Sequence, residues 1–427
     1  MDQNPSPADP IAERSRLWGG MLCLLLLSAT LLNYANRAAF TQNALPVQAA
    51  FETDDAGYGR AESRFAIGFA LGGLLFGILA DIISVRWLYP FVVVVWSLAG
   101  ISSGLVQALF GLELSRFVLG LFEAGHWPCA LRTTQRAFKP AWRTWGNSVL
   151  QSGASVGAVV TPLLVAAIYR WDPENWRLTF FVAGGFGLPW VVWWLASVNE
   201  ADVRRPVIQT DESGAGQGQE RELQEVPFLH LFLSRRWWLL LAVIVSINTF
   251  WHYVRVWLPV TLEKDHHYSH EFTAYFTSLY YAATFFGSLA AGSLTAGLTR
   301  QGWNVHRSRM AAFLIFGILS SFSIPAALML RGNALLVTLL FVGFGSLGLF
   351  PIYYSLNQEL SARNQGKVGG TLSFATWGIL FFVHDWVGSV VKQDPSLRPY
   401  LFAATGCGPI LAFTLLALFW IPRPASR

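Results

Sequence analysis

The chain has 427 residues, of which 53% are hydrophobic and 13% are charged, and its mean hydropathy is +0.42. A water-soluble domain usually carries about 25% charged residues, so this composition argues against an ordinary soluble protein and predicts one embedded in lipid. The net charge of +5 comes from arginines in predicted loops and does not indicate nucleic-acid binding, while 3 dispersed cysteines argue against a disulfide framework.

Apolar runs of about 20 residues, the length that crosses a bilayer, recur along the chain. The N-terminal segment lacks the basic start of a signal peptide, so the first run is predicted to be a retained span. A polar segment rich in Gly, Gln and Glu separates two groups of six runs and is predicted to be a linker. We therefore predict an all-α membrane protein of twelve transmembrane helices in two pseudo-symmetric halves. Its parts are a tail (1–16), a six-helix bundle (17–198), a linker (199–236), a second six-helix bundle (237–421) and a tail (422–427).

Lysines and arginines in the predicted loops define an orientation. Nineteen of the 30 fall on the side that holds both termini and the linker, against eight on the other side. Because cytoplasmic loops carry the excess of positive charge, both termini are predicted to be cytoplasmic. The short linker and the lack of a glycosylation sequon in the outer loops favour the inner (plasma) membrane of a bacterium, with an organellar membrane as the alternative. We expect a monomer.

Charged residues inside the apolar runs are the main functional signal. A charge at mid-bilayer depth costs about 2.5–3.5 kcal/mol, so Arg116 and Glu123 are expected to face away from lipid. They are two helical turns apart and project from one face. Arg37 and Arg255 lie in the first and seventh runs. Three buried cations and one carboxylate predict a polar path for an anion beside a titratable group.

Each of these residues has two interpretations. Arg37 can offer a bidentate fork to a carboxylate, with Tyr34 one turn earlier, or it can be an arginine whose charge reaches the interface. Glu123, with Arg116 nearby, can take up a proton when an anion occupies the arginine, or it can belong to a structural ion pair. His126 can tune Glu123 or be a hydrogen-bonded packing histidine.

Two loop motifs resemble those of the major facilitator superfamily. Gly77-Ile-Leu-Ala-Asp81, followed by Arg86, resembles that family's loop after the second helix, and 292–302 is a weaker copy in the second half. The resemblance implies twelve helices in two halves and alternating access. Asp81 and Arg86 are then expected to form a conformational latch in which Asp81 accepts hydrogen bonds from a neighbouring helix N-terminus. A solvated turn is the alternative.

A finer resemblance is to the superfamily's anion:cation symporter branch, which carries sugar acids and related anions. Asn33-Tyr34-Ala-Asn36-Arg37 is similar to its first-helix motif, and 116–128 is similar to its fourth-helix Arg-x-x-x-Gly-x-x-Glu-Ala-x-x-x-Pro motif. The branch's first-helix Asp is Asn36 here, which cannot titrate. Its pattern of hydroxyl-reading residues is also altered, for example at Phe69 and Ser373, which predicts a smaller or less hydroxylated anion than a hexonate, or a differently shaped sugar acid. The expected substrate-binding residues are Tyr34, Arg37, Gln151, Arg255, Tyr354, Ser373 and Trp377.

Some polar residues remain open to interpretation. Arg255 shares a helical stripe with Asn248 and His252 and can face the substrate or lie near the outer mouth. The pair at 384–385 is more typical of a structural polar contact. The loop 263–271 holds three histidines and three acids, but a solvated loop is favoured over a metal site.

We predict a secondary active transporter that couples protons to uptake of a small organic anion, such as a hexuronate, a galactonate or a related carboxylate. The alternatives are a transporter-like anion sensor and an uncoupled or sodium-coupled exchanger. No P-loop, Rossmann glycine cluster or nucleophile motif occurs, so neither ATP drive nor catalysis is expected. No cofactor and no metal are expected.

Overall fold

The computed structural model describes residues 16–172, 175–204, 208–210, 220–222, 228–361 and 363–420. Helices dominate these residues, because a backbone in hydrocarbon must satisfy its hydrogen bonds internally. Within the described ranges there are twelve membrane-spanning segments, here called spans 1 to 12, which confirms the predicted fold class. Spans 1 to 6 are Arg16–Gln42, Asp55–Ile82, Val85–Leu105, Leu109–Glu123 with His126–Ala137, Pro140–Trp171, and Trp176–Gly185 with Gly187–Ser197. Spans 7 to 12 are Arg235–Val260 with the π-helical turn Thr261–Asp265, His270–Arg300, Val305–Ser321 with Ser323–Leu328, Gly332–Asn357, Gln365–Gln393, and Arg398–Gly406 with Gly408–Phe419.

Ten of these spans are long and apolar enough, over the described residues, to cross a membrane by composition alone. The other two are spans 4 and 8. Span 4 carries Arg116, Glu123 and Arg132, which lower its hydropathy, and span 8 is rich in Ser, Thr and Tyr. Span 4 is also broken into helices of 15 and 12 residues, each too short to count as a span by itself.

Short elements complete the described chain. The helix Ala44–Ala50 follows span 1, and a 3-10 turn, Pro395–Leu397, precedes span 12. The predicted linker contains the helices Glu200–Val203 and Phe228–Leu233. It also contains the antiparallel strands Ile208–Thr210 and Glu220–Glu222, in which Ile208 faces Glu222. The limits of the linker stay a prediction.

Glycines allow the helices to approach closely, both within a half and between halves. A side-chain carbon at Gly153 of span 5 would lie 2.3 Å from the Leu27 carbonyl oxygen of span 1. A side-chain carbon at Gly77 of span 2 would lie 2.8 Å from Gly370 Cα of span 11. Such small-residue contacts replace the hydrophobic effect as the packing force between helices in lipid. They bring span 2 of the first half against span 11 of the second, beside the central cavity.

Candidate functional site

A cavity that is partly open to solvent lies between the two halves. Spans 1, 2, 4 and 5 line it from one side, and spans 7, 10 and 11 line it from the other. The structure brings all of the predicted substrate-binding residues to its wall, namely Tyr34, Arg37, Gln151, Arg255, Tyr354, Ser373 and Trp377. Whether they bind substrate stays a prediction.

Arg37 of span 1 is the cation on the first-half wall. Its Nε donates to Glu123 Oε2 at 3.0 Å, and its Nη2 donates to Asn33 Oδ1 at 3.0 Å. The guanidinium carbon lies 4.3 Å from the centre of the Phe69 ring, a cation–π distance. The Arg37 side chain is 15% exposed, whereas its partner Glu123 is completely buried. The arginine therefore faces the cavity, and the carboxylate lies behind it.

Glu123 ends the first helix of span 4, immediately before the helix breaks at Ala124 and Gly125. Its backbone carbonyl accepts a hydrogen bond from Asn33 Nδ2 at 3.1 Å, which ties this break to span 1. Its carboxylate Oε1 is buried and has no hydrogen-bond partner among the described residues. Arg37 is thus the principal counter-charge of Glu123, and both the coupling and the structural interpretation are compatible with this geometry.

Arg116 is not brought into contact with Glu123, although both belong to span 4. Its Nη2 donates to Glu62 Oε2 of span 2 at 3.1 Å, and its guanidinium carbon lies 4.2 Å from the Phe40 ring centre. The Arg116 side chain is 1% exposed and that of Glu62 is 35% exposed. Sequence reasoning missed Glu62 because it falls at the edge of an apolar run, where a carboxylate is ordinarily solvated.

His126, expected to tune Glu123 or to pack, is completely buried. Its Nε2 is 3.0 Å from Thr30 Oγ1, and its Nδ1 is 2.7 Å from Tyr89 Oη. Both ring nitrogens therefore have partners other than Glu123. This geometry favours the packing interpretation, and a proton-coupling role for His126 has no contact to support it.

The second half contributes a cation and an aromatic wall. Arg255 of span 7 is exposed and lines the cavity, and no ion pair of its guanidinium occurs within the described part of the chain. Tyr354 Oη donates to Gln151 Oε1 at 3.1 Å across the two halves. The Trp377 ring lies 5.2 Å from that of Phe69, again across the halves.

Sequence reasoning missed several wall residues in spans 4, 10 and 11. Phe350, Tyr353 and Asn357 follow one another at spacings of three and four, which is one face of a helix. That periodicity alone, extended from the predicted Tyr354, predicts the same stripe. Trp127 lies four residues after Glu123, but helical periodicity does not predict its position because the helix breaks between the two residues. The residues concerned are Trp127, Phe350, Tyr353, Asn357 and Thr376.

The charges on the wall are of one sign. Of the described residues that line the cavity, Arg37 and Arg255 are cationic, His252 is titratable, and no carboxylate is present. Glu123 compensates only Arg37, from behind. A cavity of this kind favours an anion, because an entering carboxylate or similar group meets guanidinium donors and no like charge.

The predicted latch residue Asp81 lies at the end of the bundle that carries the linker. Its carboxylate accepts hydrogen bonds from the backbone N–H groups of Gly366 at 2.8 Å and Lys367 at 2.7 Å, in the first turn of span 11. A carboxylate there complements the positive end of the helix dipole. Arg132, not Arg86, supplies the paired cation, with Nη1 2.5 Å from Asp81 Oδ1. Arg86 instead donates to the Leu195 carbonyl oxygen at 3.3 Å.

Further hydrogen bonds join the halves at the same end. Gln135 Nε2 donates to the backbone carbonyls of Gln358 at 2.7 Å and Ser361 at 3.0 Å. Arg309 pairs with Glu359 of its own half, and its Nη2 reaches the Pro140 carbonyl oxygen of the other half at 2.8 Å. These contacts close the linker end below the cavity.

The loop 263–271 has polar contacts of its own. Arg398 Nη1 lies 2.5 Å from Asp265 Oδ1, and Arg331 Nη1 lies 3.2 Å from His266 Nδ1. Burial and the neighbouring Arg331 lower the pKa of His266. No group of three His, Cys, Asp or Glu side chains positioned to hold a metal is found among the described residues.

A family model described as the Major Facilitator Superfamily matches residues 26–383. The chain belongs to this superfamily. It is therefore a transporter and not an enzyme, and the resemblance inferred from the loop and helix motifs is confirmed.

Curated relatives cover nearly the whole chain. A probable sulfoacetate transporter of Cupriavidus necator is 25% identical over 96% of this chain and 95% of its own length. A probable L-galactonate transporter of Escherichia coli is 23% identical over 98% and 93%. A hexuronate transporter of Bacillus subtilis is 25% identical over 94% of each chain. All three are named for organic anions.

Solved structures support the fold. The proton:xylose symporter XylE, solved with 6-bromo-6-deoxy-D-glucose bound, superposes with a TM-score of 0.74 over 96% of this chain and 97% of its own, at 13% identity. The human organic anion transporter MFSD10 gives a TM-score of 0.66 over 93% and 99%, at 14% identity. At these identities the likeness extends to architecture alone.

Proposed function

We propose that the protein is a proton-coupled symporter of a small organic anion that works by alternating access. The observation that carries the proposal is the ion pair of Arg37 and Glu123, in which the cation faces the cavity and the carboxylate is completely buried. The all-cationic wall and the anions named for the curated relatives support the choice of cargo.

Coupling follows from competition for Arg37. An anion that binds the guanidinium from the cavity competes with the Glu123 carboxylate for the charge of Arg37, since Glu123 is bonded to Nε of the same group. A buried carboxylate without a counter-charge is strongly disfavoured, so Glu123 takes up a proton as the anion binds. The reciprocal statement also holds: a proton on Glu123 releases Arg37 and raises its affinity for the anion. Anion and proton therefore load together.

The charge of the loops and the closed linker end indicate which way the cavity opens and how the protein is oriented in its membrane. The linker end is closed by Asp81 and its partners. If the excess of arginines marks the cytoplasm, the cavity opens outward, and both termini lie inside. The curated relatives are bacterial proteins, which supports the cytoplasmic membrane of a bacterium as the location. We propose that a single chain is the working unit, because the cavity and the closed linker end form within it.

Purified protein in proteoliposomes tests the function. The vesicles receive galactonate, benzoate or sulfoacetate outside under an inward proton gradient, with a trapped pH dye. We expect at least one anion to accumulate and the lumen to acidify with it. Anion binding without transport indicates a sensor. Accumulation that follows a sodium gradient and ignores pH, or exchange without accumulation, contradicts proton symport.

Topology has its own test. A single cysteine at Ser213 in the linker, in a chain whose exposed Cys407 is replaced by serine, should be labelled by an impermeant maleimide only after the cells are opened. The arginine bias predicts this result, because the linker lies on the positive side. Labelling of intact cells reverses the proposed orientation.

A further inference from the structure

The wall of the cavity is rich in aromatic side chains. Eight of its lining residues are Phe, Tyr or Trp, and they come from spans of both halves. Two ring pairs cross between the halves: Phe69 with Trp377 at 5.2 Å, and Trp127 with Tyr354 at 5.5 Å between ring centres. A flat body seated against these rings would contact both halves at once.

Four polar side chains of the wall each use one polar group on the protein. Gln151 Oε1 accepts from Tyr354 Oη, and Asn248 Nδ2 donates to the Ile244 carbonyl oxygen of its own helix at 3.0 Å. Thr376 Oγ1 donates to the Leu372 carbonyl oxygen at 2.6 Å. Asn357 Oδ1 accepts from Gln365 Nε2 at 3.5 Å. A polyhydroxylated ligand would depend on the groups that these bonds leave over, such as the other amide groups of Gln151 and Asn357 and the hydroxyl of Ser373.

The aromatic rings of the wall and the position of Arg37 point to the same ligand. Each hydroxyl that loses water without gaining a partner weakens binding by about tenfold or more. Aromatic pairs, by contrast, gain affinity from stacked or edge contacts beyond the area they bury. Arg37 beside the Phe69 ring places an anionic head group next to this apolar wall.

We propose that the substrate is an aromatic carboxylate: a small organic anion with one carboxylate head bound at Arg37 and a flat aromatic body held by Trp127, Trp377 and their ring partners. This inference rests on the proposed function and narrows its substrate. It separates the chain from the sugar-acid carriers among its relatives, which are named for hydroxylated anions.

The experiment measures dissociation constants by isothermal titration calorimetry on the purified full-length protein. The probes are benzoate, cyclohexanecarboxylate and galacturonate: an aromatic acid, a saturated acid of similar size and a hydroxylated acid. We expect benzoate to bind at least tenfold more tightly than galacturonate and about threefold more tightly than cyclohexanecarboxylate. Tighter binding of galacturonate, or equal binding of benzoate and cyclohexanecarboxylate, overturns the proposal, as does binding of none of them.

Substitutions of the wall tryptophans test whether benzoate binds against the aromatic side chains of the cavity. Trp377→Leu and Trp127→Leu, each made singly, should weaken benzoate binding about tenfold, and Trp377→Phe should retain most of it. Trp142→Leu is the matched control, because Trp142 packs on Trp145 and Arg300 away from the cavity and should leave affinity unchanged. Unchanged benzoate affinity in folded Trp377→Leu and Trp127→Leu contradicts the proposal.

The failures of the two proposals are distinguishable. If galacturonate binds and Arg37→Ala abolishes it, while benzoate does not bind, the anion site stands and only the aromatic substrate is wrong. If benzoate binds equally well to Arg37→Ala, the proposed anion site itself fails.

Discussion

Two ion pairs with a buried partner lie in the first half, and they are arranged in opposite ways. In one, the cation Arg37 is partly exposed to the cavity and its acid Glu123 is completely buried. In the other, the cation Arg116 is 1% exposed and its acid Glu62 is 35% exposed. Both cations also lie against the Phe65 ring, at 5.1 Å for Arg37 and 4.6 Å for Arg116.

The difference decides which pair a ligand can open. An entering anion can reach Arg37, which lines the cavity, whereas neither Arg116 nor Glu62 is among the lining residues. A Glu123 that loses Arg37 is left in the protein interior and requires a proton. The Arg37 pair is therefore suited to coupling, and the Arg116 pair to holding spans 2 and 4 together.

The largest expected effect is at Arg37. Arg37→Ala should abolish measurable anion binding, a loss of up to about 5 kcal/mol, because the anion enters a low-dielectric cavity without its principal partner. Arg37→Lys should restore little of the anion binding, since the ammonium group of lysine lacks the planar, bidentate geometry of a guanidinium. Calorimetric titration measures both.

The control for Arg37 is a double variant, Arg37→Ala with Glu123→Gln. It removes the cation together with the carboxylate that the single change leaves unpaired, so any misfolding due to that carboxylate disappears. Binding should remain absent. Unchanged affinity in either alanine variant would assign Arg37 to structure.

A smaller effect, on stability, is expected at the second pair. Glu62→Ala leaves the buried Arg116 without its acid and should cost about 3 kcal/mol, at the low end of the range for broken buried pairs. Arg116→Leu leaves an acid whose side chain is 35% exposed and should cost less, about 1 kcal/mol. Thermal unfolding in detergent checks this order, and anion affinity should change less than about threefold in both. A large loss of anion affinity in Arg116→Leu would show that the Arg116 pair also takes part in anion binding, contrary to this account.

The smallest effect concerns the residue that replaces the family's first-helix acid. Asn36 is buried away from the cavity, and its Nδ2 donates to the carbonyl oxygens of Leu32 at 3.0 Å and Ala183 at 3.4 Å. Asn36→Asp places a carboxyl group against these carbonyls and should destabilise the protein by about 1–2 kcal/mol. The pH dependence of uptake should not steepen. A steeper profile would show that Asn36 lies on a proton path after all.

The sequence predicted the architecture well because its signals are local. Apolar length defined twelve spans, and loop charge predicted their orientation. Arg37 and Arg255, two charged residues within apolar runs, marked the wall of the cavity, with Glu123 behind Arg37. These residues stand out in the sequence because a charge within an apolar span is costly, whichever helices that span packs against.

Local sequence patterns could not predict which charged residues form ion pairs with one another. Nothing in the spacing of Arg116 and Glu123 reveals that Arg116 bonds to Glu62 of another span, or that Arg132 takes the place expected for Arg86 beside Asp81. Such partners depend on how helices rotate and approach, which close glycine contacts such as Gly77 with Gly370 determine. The aromatic wall was missed in part for the same reason, since Trp127 reaches it only after the break in span 4.

One measurement tests the central claim, that Glu123 carries the proton. Proteoliposomes with wild type or Glu123→Gln are assayed for anion exchange at equal pH and for accumulation under an inward proton gradient. Glutamine mimics the protonated carboxyl, so the variant should exchange the anion with an affinity within about tenfold of wild type. It should fail to accumulate the anion, because it has no proton to release. Wild type should accumulate more anion as the outside pH falls. Accumulation by Glu123→Gln against the anion gradient would contradict the mechanism and return Glu123 to a structural role.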